Sequence, residues 1–182
     1  MFLEKLKEIP KNLYLFIITC TGFLIFILIN QLVFASLNRT FTEYGILDFE
    51  FAWTKDRILL IFSAWGEEGR ALQAAGVYWD FPYIIGYVSF IFGCILLVLR
   101  QLEGKIQRIG LWILLTPILA GIFDVIENIN LLLMLNLTPN FPSFISFVAS
   151  ITALIKFSLL GIGIIFFFII LIVFIIRKIK KK

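Results

Sequence analysis

The sequence predicts an all-α integral membrane protein: a four-helix bundle with an extracytoplasmic helical loop between spans one and two. Hydrophobic residues make up 61% of the 182 positions, and the mean hydropathy is +1.03, which is typical of a membrane protein. Four apolar segments are long enough to cross a hydrocarbon core of ~30 Å, which needs ~20 helical residues. None of them alternates polar and apolar residues as the strands of a membrane barrel do.

The chain is expected to form one four-span domain over residues 1–182. Its first apolar segment, 13–37, contains no charged residue. This segment is much longer than the ~7–15 apolar residues of a signal peptide, so we interpret it as a span and not as a cleaved leader. The last span is expected to follow an extramembranous helix start near Pro142. The remaining spans are predicted at 81–99, 109–135 and 157–176.

Residues 38–79 form a connection that is too long and too apolar for a simple linker. The run DFEFAW alternates large aromatic residues with charged or small ones, which predicts a short extended piece. Thr54 is a candidate N-cap for a helix through KDRILLIFSAW, and Gly66 and Gly69 are expected to interrupt that helix before a second one through EEGRALQAAGVYW. Large apolar residues mixed with charges suit the membrane interface. The connection is therefore expected to be a lid over a cavity or a structural cap on the helix ends.

The distribution of charge predicts the orientation. The N-terminal tail, the 100–108 connection and the C-terminal tail each carry a basic excess, whereas residues 38–79 hold four basic and six acidic groups. By the positive-inside rule, both termini and the 100–108 connection are cytoplasmic. The expected location is the plasma membrane in a prokaryote and the endoplasmic reticulum in a eukaryote. The formal charge of +4 lies mostly in the C-terminal tail, where it suits an anionic leaflet, and no nucleic-acid partner is predicted.

Polar side chains in the third apolar segment are the first pointer to function. Asp124, Glu127 and Asn128 lie inside it, and spacings of three and four put them on one helical face. Inserting a central Asp costs at least ~2.5–3.5 kcal/mol, so such residues are rarely kept without a use. At ~1.5 Å per residue from the cytoplasmic side, the three groups lie ~22–27 Å deep.

The other spans place polar groups at a similar predicted depth. Asp80 opens the second helix, and Lys156 precedes the apolar part of the fourth. Asn30 and Gln31 lie ~26 Å from the inner end of the first. Polar groups at one level on every span predict a shared cavity that faces outward.

This cavity is expected to handle protons. Two carboxyls three residues apart in a low dielectric repel each other, so one is expected to keep a proton and act as a general acid while the other stays ionised. The alternative is a structural network of ion pairs between helices three and four, although three intramembrane carboxyls facing Lys156 alone leave an acidic surplus. The candidate catalytic residues are Asp124, Glu127, Asn128, Lys156 and Asp80, and the candidate substrate-binding residues are Tyr83, Tyr87, Arg70, Trp65, Asn30 and Gln31.

The chain contains no histidine, which excludes several chemistries. Histidine-box oxygenases, haem ligation, ordinary zinc sites and Ser-His catalysis all need that side chain. Carboxylates can chelate Mg²⁺ or Ca²⁺, but no segment has the spacing of a metal-binding loop. Neither a metal nor an organic cofactor is therefore predicted.

From about Phe49 onward, the chain carries a series of short polar motifs. They are Trp65-Gly66-x-x-Gly69-Arg70, Asp80-x-Pro82 with Tyr87 downstream, Asp124-x-x-Glu127-Asn128, and Lys156. The series resembles that of a widespread group of small, uncharacterised four-span membrane proteins. The resemblance implies a four-helix fold and carries no activity.

These features favour a membrane protein that binds a lipid-like substrate or acts on it by acid–base chemistry. Two alternatives remain open. A non-enzymatic tetraspan scaffold or assembly protein would use the polar layer only to fix helix packing. A proton- or cation-coupled transporter would work as a homodimer, since four helices rarely enclose an alternating path. It would need polar groups across the whole membrane, yet the inner two thirds of the spans are nearly apolar.

Overall fold

The computed structural model describes residues 2–40 and 43–180, and every regular element within these ranges is helical. The chain is therefore all-α, as predicted. Along the sequence, the elements are α1 (Phe2–Lys5), α2 (Asn12–Ile29), a π-helical turn (Asn30–Phe34), α3 (Ala35–Thr40), α4 (Ile46–Glu50), α5 (Lys55–Leu99), α6 (Lys105–Ile113), α7 (Thr116–Leu137) and α8 (Ser143–Lys180).

Four helical segments are long and apolar enough to cross a membrane, which confirms the predicted number. They are Asn12–Leu37, Lys55–Leu99, Lys105–Leu137 and Ser143–Lys180. Helix α5 has 45 residues and α8 has 38. The backbone of α5 is not helical at Gly66. At 1.5 Å per residue, the part of α5 after Gly66 is ~50 Å long and α8 is ~57 Å long, so each is longer than a hydrocarbon core of ~30 Å requires.

Helix α5 corrects one prediction about the second helix. The sequence suggests that this helix opens at Asp80, but α5 begins at Lys55 and passes through both Asp80 and Pro82. A proline inside a helix removes one backbone hydrogen bond and usually bends or ends the helix. Helix α5 packs along both α2 and α7, and tertiary packing of this kind overrides local propensity.

The segment DFEFAW forms no extended piece, because its first half ends a helix and residues 51–53 are a turn without regular structure, so that prediction was wrong. Residues Ile46–Glu50 form α4. The ring of Phe49 is fully buried and makes edge contacts with Phe62 and Trp65, at centroid distances of 5.2 and 5.5 Å. These contacts with α5, and not the local alternation, decide the backbone conformation.

The start and the bend of α5 agree with the sequence. Thr54 caps the helix, because its hydroxyl oxygen accepts a hydrogen bond from the Arg57 N–H at 3.3 Å. The helix bends at Gly66, whose φ of 65° is a conformation that glycine adopts without strain. Gly69, the second expected interruption, stays helical. Helix α8 begins directly after Pro142, also as predicted.

The long helices pack as two pairs. Helix α2 lies along α5, α7 lies along α8, and α5 also contacts α7 and α8. In the described part of the chain, α2 and α8 do not pack closely against each other. A cleft therefore lies between α2 and α8, and α5 forms its floor.

Two apolar clusters fill opposite ends of the bundle. One surrounds α4 and includes Phe49, Ile58 and Leu131. The other lies near the α5–α6 connection and includes Leu99 and Leu111. Asp124, Glu127 and Asn128 of α7, Lys156 of α8 and Tyr87 of α5 lie between these two clusters along their helices.

Glycines allow α2 and α5 to approach each other closely. A Cβ at Gly86 would lie 2.8 Å from the Phe26 backbone nitrogen, and one at Gly22 would lie 2.8 Å from the Gly86 carbonyl oxygen. Backbone atoms cannot rotate away as side chains can. We expect Gly86→Ala to push α2 away from α5 and to lower the free energy of unfolding by about 1–3 kcal/mol, as measured by thermal unfolding in detergent.

Gly161→Ala is the matched control for this substitution. A Cβ at Gly161 has no heavy atom within 4 Å, and alanine is favoured over glycine in a helix by about 1 kcal/mol. We expect this variant to be as stable as the wild type or slightly more stable. An equal loss of stability in both variants would contradict a tight α2–α5 contact.

Candidate functional site

A buried ion cluster lies between the two apolar clusters, with Lys156 of α8 at its centre. The Lys156 Nζ is 2.9 Å from Asp124 Oδ1, 2.7 Å from Glu127 Oε2 and 3.4 Å from Glu50 Oε1. None of these four side chains is more than 9% exposed. A lysine ammonium has three N–H donors, and here three carboxyl groups surround it.

Asp124 connects three helices. One of its oxygens, Oδ1, accepts a hydrogen bond from Lys156 of α8 at 2.9 Å. The other, Oδ2, accepts one from the hydroxyl of Tyr87 of α5 at 2.8 Å. Hydrogen bonds in which a partner is ionised are the strongest in proteins, so Asp124 fixes the relative positions of α5, α7 and α8.

A second polar contact joins α7 to α5 beside this cluster. The Asn128 amide donates a hydrogen bond to Asp80 Oδ2, with a distance of 2.6 Å. Asn128 is buried, whereas Asp80 is partly exposed. The spacing of three and four residues thus places Asp124, Glu127 and Asn128 on one buried face of α7.

Sequence reasoning missed Glu50, which α4 carries into the cluster. The Ser150 hydroxyl donates to the Glu50 carbonyl oxygen at 2.7 Å and accepts from the Trp53 N–H at 2.9 Å, which holds this turn against α8. Burial raises the pKa of Glu50, and the Lys156 ammonium acts in the opposite direction. The signal in the sequence is a glutamate between two phenylalanines in an apolar run.

A cavity of about 580 Å³ adjoins the cluster and fills the cleft between α2 and α8. Its polar end is formed by side chains from five segments, namely Asn30, Glu50, Gln73, Asp80, Tyr83, Tyr87, Asp124, Asn128 and Lys156. Its apolar part is lined mainly by aromatic and aliphatic residues of α2, α5 and α8, among them Phe26, Phe90, Ile91, Leu160, Ile164 and Phe168.

Gln73 is the other polar residue of the cavity that the sequence did not single out. It lies on the face of α5 that also carries Gly76, Asp80, Tyr83 and Tyr87, at spacings of three and four residues. Extending this face two turns upstream of Asp80 would have identified it. The assumption that a helix opens at Asp80 prevented that step.

Most of the predicted site residues meet around this cavity, and Glu127 lies behind Lys156. Three of them lie elsewhere. Gln31 is exposed outside the cavity, because it lies ~100° around the helix from Asn30. Arg70 donates to the Gly66 carbonyl oxygen at 3.2 Å. Trp65 packs in the apolar cluster near α4 and donates to a backbone carbonyl.

The charges of the site do not balance. Glu50, Asp80, Asp124 and Glu127 accompany a single ammonium group, that of Lys156, in the described part of the chain. Uncompensated buried charge is costly, so the cluster needs bound protons or a bound cation. Within residues 2–40 and 43–180, no group of three or more Asp, Glu, Cys or His side chains could hold a metal ion.

Comparison of this chain with protein-family models, with curated proteins and with solved structures found no match. These comparisons therefore do not identify the group of four-span proteins that the sequence resembles. The fold and the site together define a four-helix chain of membrane-protein composition, with a buried ion cluster beside an amphipathic cavity.

Proposed function

We propose that the protein is an integral membrane protein that holds a lipid-like molecule in the α2–α8 cavity and acts on it by acid–base chemistry. The observation that carries this proposal is the division of one cavity into a carboxyl-rich end and an apolar part. A lipid-like molecule has the same division, with a polar head group and a hydrocarbon chain. Ligand sites in general combine an apolar lining with a few convergent polar groups.

The length of the apolar part supports a hydrocarbon chain as its occupant. Along α8, the lining extends from Lys156 at the polar end to Phe168. Twelve helical residues correspond to ~18 Å, which is slightly more than half of a ~30 Å hydrocarbon core. One chain of one leaflet would therefore fit along this wall.

The orientation in the membrane is part of the proposal. The polar end lies on the side of the bundle that carries α4, and the charge distribution assigns that side to the outside and both termini to the cytoplasm. The head group would then lie in the outer leaflet. The connection that includes α4 would cover it, since Glu50 of α4 lines the cavity.

Asp80 is the first candidate for the acid–base residue. Its carboxyl lines the cavity, is partly exposed and is held by the Asn128 amide at 2.6 Å. A carboxyl in this position can give a proton to a bound molecule or accept one from it. Asp124 and Glu127 are engaged with Lys156, so they would stabilise charge beside Asp80.

Both alternatives have less support. A transporter needs a polar route through the whole bundle, yet the half that holds Leu99 and Leu111 is filled by a closed apolar cluster in the described residues. A scaffold would use the ion cluster to join helices, but it would have no use for a cavity of about 580 Å³ beside that cluster.

The test is to block the apolar part of the cavity and to measure the bound lipid. Ile164 lines the cavity, whereas Ile165, the next residue, is 63% exposed and does not. We expect the wild type and Ile165→Trp, purified from native membrane, to retain a specific amphiphile by mass spectrometry. Ile164→Trp should lose most of it, because the indole ring occupies the space of the chain.

Two outcomes would contradict this proposal. One is a lipid profile that is the same in the wild type, Ile164→Trp and Ile165→Trp. The other is bound lipid that only reproduces the composition of the bulk membrane in all three proteins. Thermal unfolding of each variant shows whether a loss of lipid reflects a filled cavity or an unfolded protein.

A further inference from the structure

We infer that the molecule held in this cavity is a single-chain amphiphile whose polar end is a protonated amine. This inference rests on the proposed function and adds the charge of the ligand and the number of its chains. Three features of the cavity carry it: the donors already in use at its polar end, the acceptor left free there, and the shape of its apolar part.

The polar end has no free cationic donor for an anionic head group. Lys156 is the basic side chain that lines the cavity in the described part of the protein. Its ammonium lies within 3.4 Å of three carboxyl groups, and it has three donors. A phosphate or carboxylate entering the cavity would have to displace one of these ion pairs and would meet the surplus carboxyls.

An acceptor, in contrast, is available. The Glu50 carboxyl is already engaged with Lys156 and with the neighbouring Glu127 carboxyl. Asp80 accepts one hydrogen bond, from Asn128, and otherwise borders the cavity. A buried acceptor without a donor is unfavourable, and a cationic N–H donor bonds to it more strongly than a neutral one.

The charge balance of the cavity also favours a cationic ligand. The cavity wall combines Glu50, Asp80 and Asp124 with Lys156, and Glu127 lies directly behind Lys156. A cleft lined by one sign of charge attracts ligands of the opposite sign and repels ligands of the same sign. An ammonium group beside Asp80 would reduce the acidic surplus of the whole cluster.

The apolar part has room for one chain. The polar end opens into a trough between α2 and α8, which is lined by Phe26 of α2, Phe90 of α5, and Leu160 and Ile164 of α8. A volume of about 580 Å³ is typical of the site for one drug-sized molecule.

The test compares three probes with the same chain. Radiolabelled dodecylamine is titrated into wild-type protein in nanodiscs of a zwitterionic phospholipid, with empty nanodiscs as background and with dodecanol and dodecanoic acid as competitors. We expect the amine to bind about tenfold or more tightly than the alcohol, and the acid to compete least.

Asp80→Asn and Glu103→Gln each remove one negative charge. The first should weaken amine binding by about tenfold and leave alcohol binding unchanged, because the asparagine keeps the shape of the aspartate. Glu103 is exposed, near the opposite end of α5, and its variant should bind all three probes as the wild type does. Glu50→Gln serves as a second variant if Asp80→Asn fails to fold.

The outcomes separate this inference from the proposed function. Equal affinities for amine and alcohol, or tighter binding of the acid, would overturn the inference and leave a lipid-binding cavity in place. Unchanged amine binding by both Asp80→Asn and Glu50→Gln would also overturn it. No binding of any probe above the level of empty nanodiscs would overturn both the inference and the proposed function.

Discussion

Replacing Lys156 with methionine should lower the free energy of unfolding by about 3–5 kcal/mol, or prevent folding altogether. The substitution removes the ammonium that lies 2.7–3.4 Å from Glu50, Asp124 and Glu127, and it leaves these buried carboxyls without a counter-charge. Methionine is about as long as the apolar stem of lysine, so lost packing contributes little. Thermal unfolding in detergent and the monodisperse yield from size-exclusion chromatography measure the effect.

Two further variants show whether charge is the cause. Lys105 is exposed at the start of α6, so Lys105→Met should change stability by no more than about 0.5 kcal/mol. Adding Asp124→Asn and Glu127→Gln to Lys156→Met should recover much of the lost stability, because neutral amides need no counter-ion. A Lys156→Met variant with the melting temperature of the wild type would mean that the ion pairs do not stabilise the fold.

The four long helices could be predicted from the sequence because their signal is local. An uncharged run of ~20 apolar residues is a spanning helix with few alternatives. The convergence of Asp124, Glu127 and Asn128 with Lys156 could be predicted from the energetic cost of unpaired buried charge as well as from the spacing. Charged groups in an apolar environment must find partners, and the chain offers few.

The depth of a residue along its helix was easier to predict than the direction in which its side chain points around the helix axis. Asn30 and Gln31 have the same depth, yet Asn30 lines the cavity and Gln31 does not. Adjacent residues point ~100° apart on a helix, and the sequence of α2 is apolar on all sides. Hydropathy therefore could not show which face of α2 packs against α5.

Contacts between residues far apart in the chain were the feature that the sequence predicted least well. Glu50 and Lys156 are 106 positions apart, and no local pattern links them. The alternation in DFEFAW suggested an extended piece. A pattern of this kind shows which residues are apolar, but it does not show which other residues they pack against. In the structure, Phe49 is buried against α5, and this packing turns the next residue, Glu50, toward Lys156.

Phe49→Ala tests that packing and should be the second most damaging substitution. The ring is fully buried in the apolar cluster near α4, and truncating a buried phenylalanine usually costs about 3–5 kcal/mol. We expect a large fall in melting temperature. We also expect faster proteolysis between residues 43 and 54, because α4 loses its main contact with α5, and weaker retention of the bound amphiphile, because Glu50 leaves the cavity wall.

Phe144→Ala is the matched control, since the Phe144 side chain is 66% exposed and its removal leaves no cavity. Its melting temperature and proteolysis should be close to those of the wild type. Equal effects of the two substitutions would show that buried packing does not hold α4 in place. The Phe49→Ala variant could instead be less stable while residues 43–54 stay protected from proteolysis. In that case the lost free energy of unfolding would come from contacts elsewhere in the apolar cluster. Position 49 would then have no link to Glu50, and α4 would be held by the Ser150 hydrogen bonds and the Glu50–Lys156 ion pair.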